Sequence, residues 1–200
     1  ARLKFMKSKN SENGRVQQVV HQYMLGYPDV RFRLILDSKS PQVSGGLGKL
    51  RDVLALFYGR EKASTFIDLP PIDEGPITIS GLISPPTVTR GNRSGITLII
   101  NQRLVQSRTL SFAIEEAYRG FLQIKRYPMA VISITVPYSD VDVNVHPSKA
   151  EVRFREERSI FSALQRVVRE VLLAAAPLNT IDNPWSAENQ ESRYIPKTFS

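Results

Sequence analysis

The chain contains no cysteine, which excludes disulfides and thiolate metal sites and fits a reducing, cytosol-like compartment. It has only two histidines, His21 and His146, and no Cys/His cluster surrounds either of them. No Ser/His/Asp or Cys/His set is legible as a nucleophilic centre. No glycine-rich cradle followed by Lys-Ser/Thr is present to wrap a phosphate chain. No apolar run approaches the ~20 residues of a membrane-spanning helix, and no signal peptide is visible. Acidic residues are in deficit: 27 Lys and Arg face 19 Asp and Glu, for a net charge of +8. Such a surplus serves either solubility or a polyanionic partner. Clustering favours the partner, because Arg90, Arg93, Arg103, Arg108, Arg119, Lys125 and Arg126 are opposed within their stretch only by Glu115 and Glu116.

What is present suffices for a core. The apolar fraction is 42% over 200 residues, which suits one domain with a tail. The first residue is Ala rather than Met, so a fragment cut from a longer protein is expected. A helix capped by Ser11 is expected to run to about Gly26, with Val16, Val19, Val20, Tyr23 and Met24 on its inner face. Val30, Phe32, Leu34 and Leu36 alternate with polar neighbours as a strand with one wet face. Leu47 to Tyr58 reads as a helix, followed by strands at about 64–68, 76–84 and 95–100. A long helix is expected from Arg108 to Ile124, with Leu110, Ala113, Ile114, Ala117, Tyr118, Phe121 and Leu122 inward. Met129 to Val136 is rich in β-branched residues and reads as a strand. Glu156 to Ala175 reads as a closing helix. After Ala176-Pro177 the pattern ends.

The densest chemical signal is Val141-Asp142-Val143-Asn144-Val145-His146-Pro147-Ser148-Lys149-Ala150-Glu151-Val152-Arg153-Phe154. Its valines alternate with polar residues, the period of a half-buried strand. Pro147 has no N–H and stops the ladder. Lys149 then sits on a short loop before a second strand, where a fixed ammonium can meet an anion such as phosphate. From the residues alone, an exposed turn lysine is the simpler reading. Asp140 and Asp142 are expected on one strand face about 7 Å apart, with turn and hydrogen-bond roles rather than acid/base ones. His146 reads as a structural support of the lysine loop. Arg153 points away from Val152 and Phe154 and reads as the partner of a carboxylate.

This run resembles the V-D-V-N-V-H-P-x-K-x-E-V-R-F signature of the MutL family of DNA mismatch-repair proteins. Ala1-Arg2-Leu3-Lys4-Phe5 is similar to the P-A-R-x-K-F segment closing that family's ATP-binding domain. Ile99-Ile100-Asn101-Gln102-Arg103 is similar to its strand ending in N-x-R, in the same order along the chain. The resemblance covers about residues 1–175. It implies an α+β fold: a ribosomal-protein-like β-α-β sandwich with a mixed sheet and helices packed on one face, as in the second domain of gyrase and MutL-type ATPases. It also implies that residues 1–9 are the end of a preceding ATPase domain or the interdomain connection and 10–175 a transducer domain, while the polar tail with Pro184 and Pro196 makes 176–200 the expected start of a flexible linker.

The functional expectations follow from the same resemblance. Lys149 would contact the γ-phosphate of ATP held by the preceding domain, supported by Asp142, Asn144, His146 and Pro147. Apart from the resemblance, basic clustering and nearness to helix starts make Arg90, Arg93, Arg103, Arg108, Arg155 and Arg158 the candidate DNA contacts; the resemblance maps the family's DNA-contacting arginine best to Arg108. Gln102 stands where the family often has Gly, which argues against a tight primed turn there. No cofactor or metal is expected in this chain alone; ATP and magnesium belong to the intact protein. The chain alone is expected to be inactive and the intact protein to be an ATPase. Expected partners are DNA, the preceding ATPase domain, a second MutL-type subunit on ATP-driven dimerisation and a mismatch-recognition protein of the MutS type, with no membrane. The location is cytoplasmic if bacterial, which is favoured, and nuclear if eukaryotic. The alternatives are a stand-alone nucleic-acid-binding module with no ATP role and, far behind it, a hydrolase using Asp142 and His146.

Overall fold

A computed structural model describes residues 8–37, 40–142 and 152–176. The first helix, α1, spans Lys9–Gly26. Its cap is Ser8 rather than Ser11: the Ser8 side chain accepts from the Ser11 N–H, and the Ser8 carbonyl accepts from the Ser11 and Glu12 amides. The buried side of α1 also differs from the expected stripe. Met24 and Leu25 are buried, whereas Val16, Val19 and Tyr23 are about half exposed. The apolar positions of α1 span more than one face, and the helix seats the Val20–Met24 side.

Strand β1 (Arg33–Leu34) pairs antiparallel with β2 (Gln42–Val43). The expected longer strand keeps its in–out alternation at Phe32, Leu34 and Leu36 but has a ladder only two residues long. Helix α2 (Leu50–Tyr58) ends at Gly59, whose φ of 85° lets the chain turn into α3 (Arg60–Ser64). Helix α3 departs from the sequence expectation, and it displaces the start of the next strand to Ile67. The Arg51 guanidinium fastens α3 to α2, donating to the carbonyls of Ala63 and Phe66 at 2.8 and 2.9 Å and pairing with Asp68 at 2.8 Å.

Strands β3 (Ile67–Glu74) and β4 (Ile77–Ile83) form a hairpin whose register shifts between Leu69 and Ile72. Pro70 and Pro71 occupy the shift, where their missing N–H groups cost no ladder bond because β3 is an edge strand. Next come β5 (Thr89–Arg90), a 3-10 turn at Arg93–Gly95, β6 (Ile96–Ile100) and β7 (Arg103–Val105). Helix α4 is Arg108–Ala117, shorter than expected. It stops because Tyr118 leaves the helix, Gly120 takes a φ of 87°, and Arg169 caps the end by donating to the carbonyls of Ala117 and Arg119 at 3.0 and 2.6 Å. Phe121 and Leu122 still pack on the core, from a turn. Strand β8 (Tyr127–Pro128) pairs with β5; β9 (Ala130–Thr135), β10 (Val141–Asp142), β11 (Arg153–Phe154) and α5 (Glu157–Ala175) complete the described chain.

The main sheet has the order β3-β4-β9-β6-β7. All neighbours are antiparallel except β6 and β9, which are parallel, so the sheet is mixed and the fold α+β as expected. The expectation of helices on one face is corrected. α4 and α5 cover one face through Ile79, Ile83, Leu98, Ile100, Ile132 and Ile134. α1, α2 and α3 cover the other through Leu82, Ile99 and Val131. The central strands are apolar on both faces, so each face needs a cover, worth about 1.5–3 kcal/mol per large side chain fully buried. Gly81 lies where β4 meets β9. It adopts a φ of 147°, and a Cβ there would sit 1.9 Å from the Val131 carbonyl oxygen.

A candidate nucleic-acid interface

Helix α1 lies against β6 and β7 and leaves a groove of about 790 Å³ between itself, β7 and the start of α4. The groove is lined by Gln18, Gln22, Tyr23, Asn92, Arg93, Ser94, Leu104, Ser107 and Arg108, among others. A smaller cavity of about 350 Å³ adjoins it, sharing Gln18, Gln22, Ser94 and Thr97, and reaches His21, Tyr58 and Arg90. Among the described residues, neither is lined by a carboxylate.

The candidate arginines fall into distinct settings. Ser107 caps α4 by accepting from the Leu110 N–H at 3.1 Å, which sets Arg108, exposed, in the first helical turn. A cation beside a helix N-terminus is a combination suited to binding an anion. Arg103 is exposed on β7 just past the β6–β7 turn. That turn corrects the expectation drawn from Gln102. Asn101 and Gln102 have φ of 46° and 65°, and Ile100 pairs directly with Arg103, so this is a two-residue primed turn without glycine. Asn101 makes it possible. Its side chain donates to the Val136 carbonyl at 3.0 Å and accepts from the Val136 N–H at 2.9 Å, while Tyr27 donates its hydroxyl to Gln102 O at 2.9 Å.

Arg93 is already engaged. It forms a two-pronged pair with Glu115, at 2.5 and 3.0 Å, and lies 5.5 Å over the Tyr127 ring; the carboxylate pushes its guanidinium further up from the ordinary value. Arg90 has no carboxylate partner among the described residues: its guanidinium reaches the Tyr58 hydroxyl at 3.3 Å and lies 5.7 Å from that ring's centre.

Arg155 and Arg158 sit elsewhere, beside the β10–β11 pairing, where the Arg155 N–H donates to Asp140 O at 2.9 Å. Helices α4 and α5 run in the same direction: Phe112 meets Phe161 near their starts, and Arg169 reaches Ala117 and Arg119 near the end of α4. Arg108 and Arg158 therefore stand at the same end of this helical layer. Asp140 belongs to a 3-10 turn, so it does not share a strand face with Asp142. Asp142 lies directly across from Arg153 in the β10–β11 register, where a carboxylate was expected for that arginine. Asn144, His146, Pro147 and Lys149 lie outside the described residues. Among the described residues, no group of His, Cys, Asp and Glu could hold a metal ion, and no helix is long and apolar enough to cross a membrane.

Sequence reasoning missed His21 and Tyr58. His21 stacks on Phe57 with ring centres 3.7 Å apart, and its Nε2 is 2.8 Å from Gln42 Oε1. Burial holds its pKa below the ordinary histidine value, the Gln42 bond opposes this, and the Arg90 charge adds to the lowering. No spacing in the sequence links positions 21, 42, 58 and 90.

The mixed sheet with helices on both faces is the fold of a known class. A structure described as the N terminal domain of a DNA repair protein superposes with a TM-score of 0.63, at 18% identity, over 80% of this chain and 53% of that one. The ATPase domain of the bacterial mismatch repair endonuclease Aquifex aeolicus MutL gives 0.53, at 19% identity, over 86% of this chain and 56% of that one. The family described as DNA mismatch repair protein, C-terminal domain, matches residues 54–173. The DNA mismatch repair protein MutL of Geobacillus kaustophilus is 43% identical over 172 residues, 85% of this chain and 27% of that protein. That of Geotalea uraniireducens is 37% identical over 203 residues, 96% of this chain and 33% of that protein. The chain belongs to the MutL family of DNA mismatch-repair proteins, and it spans about a third or less of these relatives' length.

Proposed function

We propose that this chain is the transducer domain of a MutL-type mismatch-repair protein, offering Lys149 to ATP in an adjacent domain and a basic groove to DNA. The carboxylate-free groove carries the DNA half of the reading: Arg108 projects at a helix start beside Arg93, with Arg103 on the neighbouring strand and Arg90 at the inner end. A polyanion meets Arg103 and Arg108 there with no carboxylate in the lining, although Glu115 neutralises Arg93 at the edge. The lysine half is supported by the 141–154 motif and by the pairing of Val141 with Phe154, which holds the two ends of the intervening segment together. Arg155 and Arg158 flank the same pairing. A lysine suits the role assigned to Lys149, because a compact ammonium can neutralise charge developing on a transferred phosphoryl group. ATP and magnesium would be held by the adjacent domain, with a second MutL-type subunit and a MutS-type protein as partners of the whole protein.

The test uses the protein with its ATPase domain. Lys149→Ala should lower ATP turnover about a hundredfold, equivalent to roughly 3 kcal/mol of transition-state stabilisation, with melting temperature and DNA affinity nearly unchanged. Normal turnover in the folded variant would remove the phosphate role and leave a plain nucleic-acid-binding module as the better reading. Separately, Arg103→Glu with Arg108→Glu should weaken binding to DNA of any sequence. It should also reduce the slope of log affinity against log salt by about one for each phosphate that the protein no longer neutralises. An unchanged slope would place the DNA face elsewhere.

A further inference from the structure

The smaller cavity, behind the groove, has a composition that the DNA reading does not require. Its polar lining comes from Gln17, Gln18, His21, Gln22, Tyr58, Arg90 and Ser94. All but Ser94, whose hydroxyl already donates to Asn92 Oδ1, carry a donor for a bound group, and among the described residues none is a carboxylate. Arg90 is half-buried and turned onto the face of Tyr58, whose hydroxyl is the polar partner of its guanidinium among the described residues. A guanidinium withdrawn from water with no counter-charge is costly unless an anion completes it. The pose is also built in. A Cβ on Gly95 would come within 3.0 Å of Arg90 Cδ and of Met129 Cγ, so the bare backbone at position 95 is what lets the arginine stem lie there. Opposite it, His21 is fixed by its stack on Phe57 and its bond to Gln42.

We propose that this cavity is a seat for one phosphate-type oxyanion, gripped by Arg90 together with the Tyr58 hydroxyl and facing His21. Arginine supplies parallel N–H donors matched to two oxygens of such a group. Tyr58 orients the guanidinium, and the α1 glutamines are the neutral donors around it. The titratable and charged groups that share the cavity with His21 are Tyr58 of α2 and Arg90 of β5, with the neutral Gln42 of β2 on its ring nitrogen. An oxyanion between Arg90 and His21 offsets the cationic repulsion and favours protonated imidazole. Occupancy therefore tightens as pH falls.

The seat adjoins the basic groove and shares Arg90 with the DNA-binding reading, and one experiment separates the two. Inorganic sulfate, whose charge is constant over the range, is titrated into the isotope-labelled chain at about pH 7.5 and about pH 5.5, spanning the ordinary histidine value, with the His21 ring resonances and the backbone amide resonances of the cavity-lining residues as readout, the amides alone serving in the variant that lacks His21. Expected are a saturable shift at His21, tighter binding at the lower pH, and weakening by about tenfold or more in Arg90→Gln. His21→Gln should retain sulfate binding but lose its pH dependence. No saturable change at His21, or unchanged affinity in an Arg90→Gln chain with native amide spectra, would overturn the seat. A short DNA duplex then identifies the source. Displacement of sulfate assigns the seat to a backbone phosphate, and sulfate that stays bound beside DNA assigns it to a free oxyanion. Sulfate binding in a chain that binds no DNA would keep the seat while removing the DNA reading.

Discussion

Tyr118 ends α4 almost fully buried and donates its hydroxyl to Ser84 O at 2.5 Å. Burial pushes its phenol well above the ordinary value near 10, since the phenolate would have to form in the core. The folded state therefore keeps a proton that the unfolded chain releases near pH 10. The contribution to stability is intact below about pH 10 and is lost progressively as pH rises toward the folded pKa. Tyr118→Phe should cost about 1 kcal/mol near neutrality, from the missing bond and the orphaned Ser84 carbonyl. Between about pH 9 and pH 11 the wild type should lose stability faster than this variant, so the gap narrows. Tyr58, also raised by burial, is common to both chains and cancels in the comparison. Denaturant titrations across that range check the slope, and parallel curves would deny the coupling. In the sequence, Tyr118 is legible as a core residue of a helix stripe. Its hydroxyl partner is not, because Ser84 is 34 residues away and joined by no periodicity.

At the scale of elements, the β6–β7 turn shows how a tertiary clamp overrides local preference. Asn and Gln at positive φ cost roughly 1–2 kcal/mol each relative to glycine, although asparagine visits this region more readily. The Asn101 bonds to the Val136 backbone and the Asn101 N–H to Ile134 O at 3.0 Å offset that cost. Gln102→Gly should leave stability within about 0.5 kcal/mol, since relieved strain is offset by a freer unfolded chain. Gln102→Val should cost about 1–2 kcal/mol, because a β-branched residue is a poorer fit at positive φ. Urea midpoints decide the order, and equal values for the two variants would mean the turn relaxes out of its primed geometry. The same elements show what a sequence carries. α1, α2, α4, α5, β4, β6 and β9 each have a period or a β-branched run long enough to detect. β2, β5, β7 and β8 are two or three residues long, too short to show a period; β5 and β8 owe their ladder to each other across a long sequence gap, and β7 pairs behind a turn that Gln102 disguises. α4 reads too long in the sequence because Phe121 and Leu122 continue its spacing after Tyr118 has left the helix.

At the scale of the whole molecule, the sheet belongs to two cores at once. Adjacent residues alternate between them: Leu82 and Ile83 on β4, Ile99 and Ile100 on β6, Val131 and Ile132 on β9. A sequence shows such strands only as continuous apolar runs and does not say what covers each face. Hence the strands themselves are legible while the two-sided cover is not. The basic groove depends on the same arrangement, since α1 forms one wall from its side of the sheet and α4 supplies Arg108 from the other. Because each central strand serves both faces, neither core can dissolve and leave the other's sheet intact. Leu54→Ala, in the core under α1 and α2, and Leu164→Ala, in the core under α5, each remove a side chain exposed by 1% or less and should each cost about 2–5 kcal/mol. Both should lower one shared transition, followed alike by far-ultraviolet dichroism and tyrosine fluorescence, with no plateau between. A plateau in the Leu54→Ala chain, with helical signal surviving the loss of tertiary signal, would show that the α1–α3 layer can come away alone. The groove would then open without global unfolding, and DNA affinity in that chain would fall before the main transition begins.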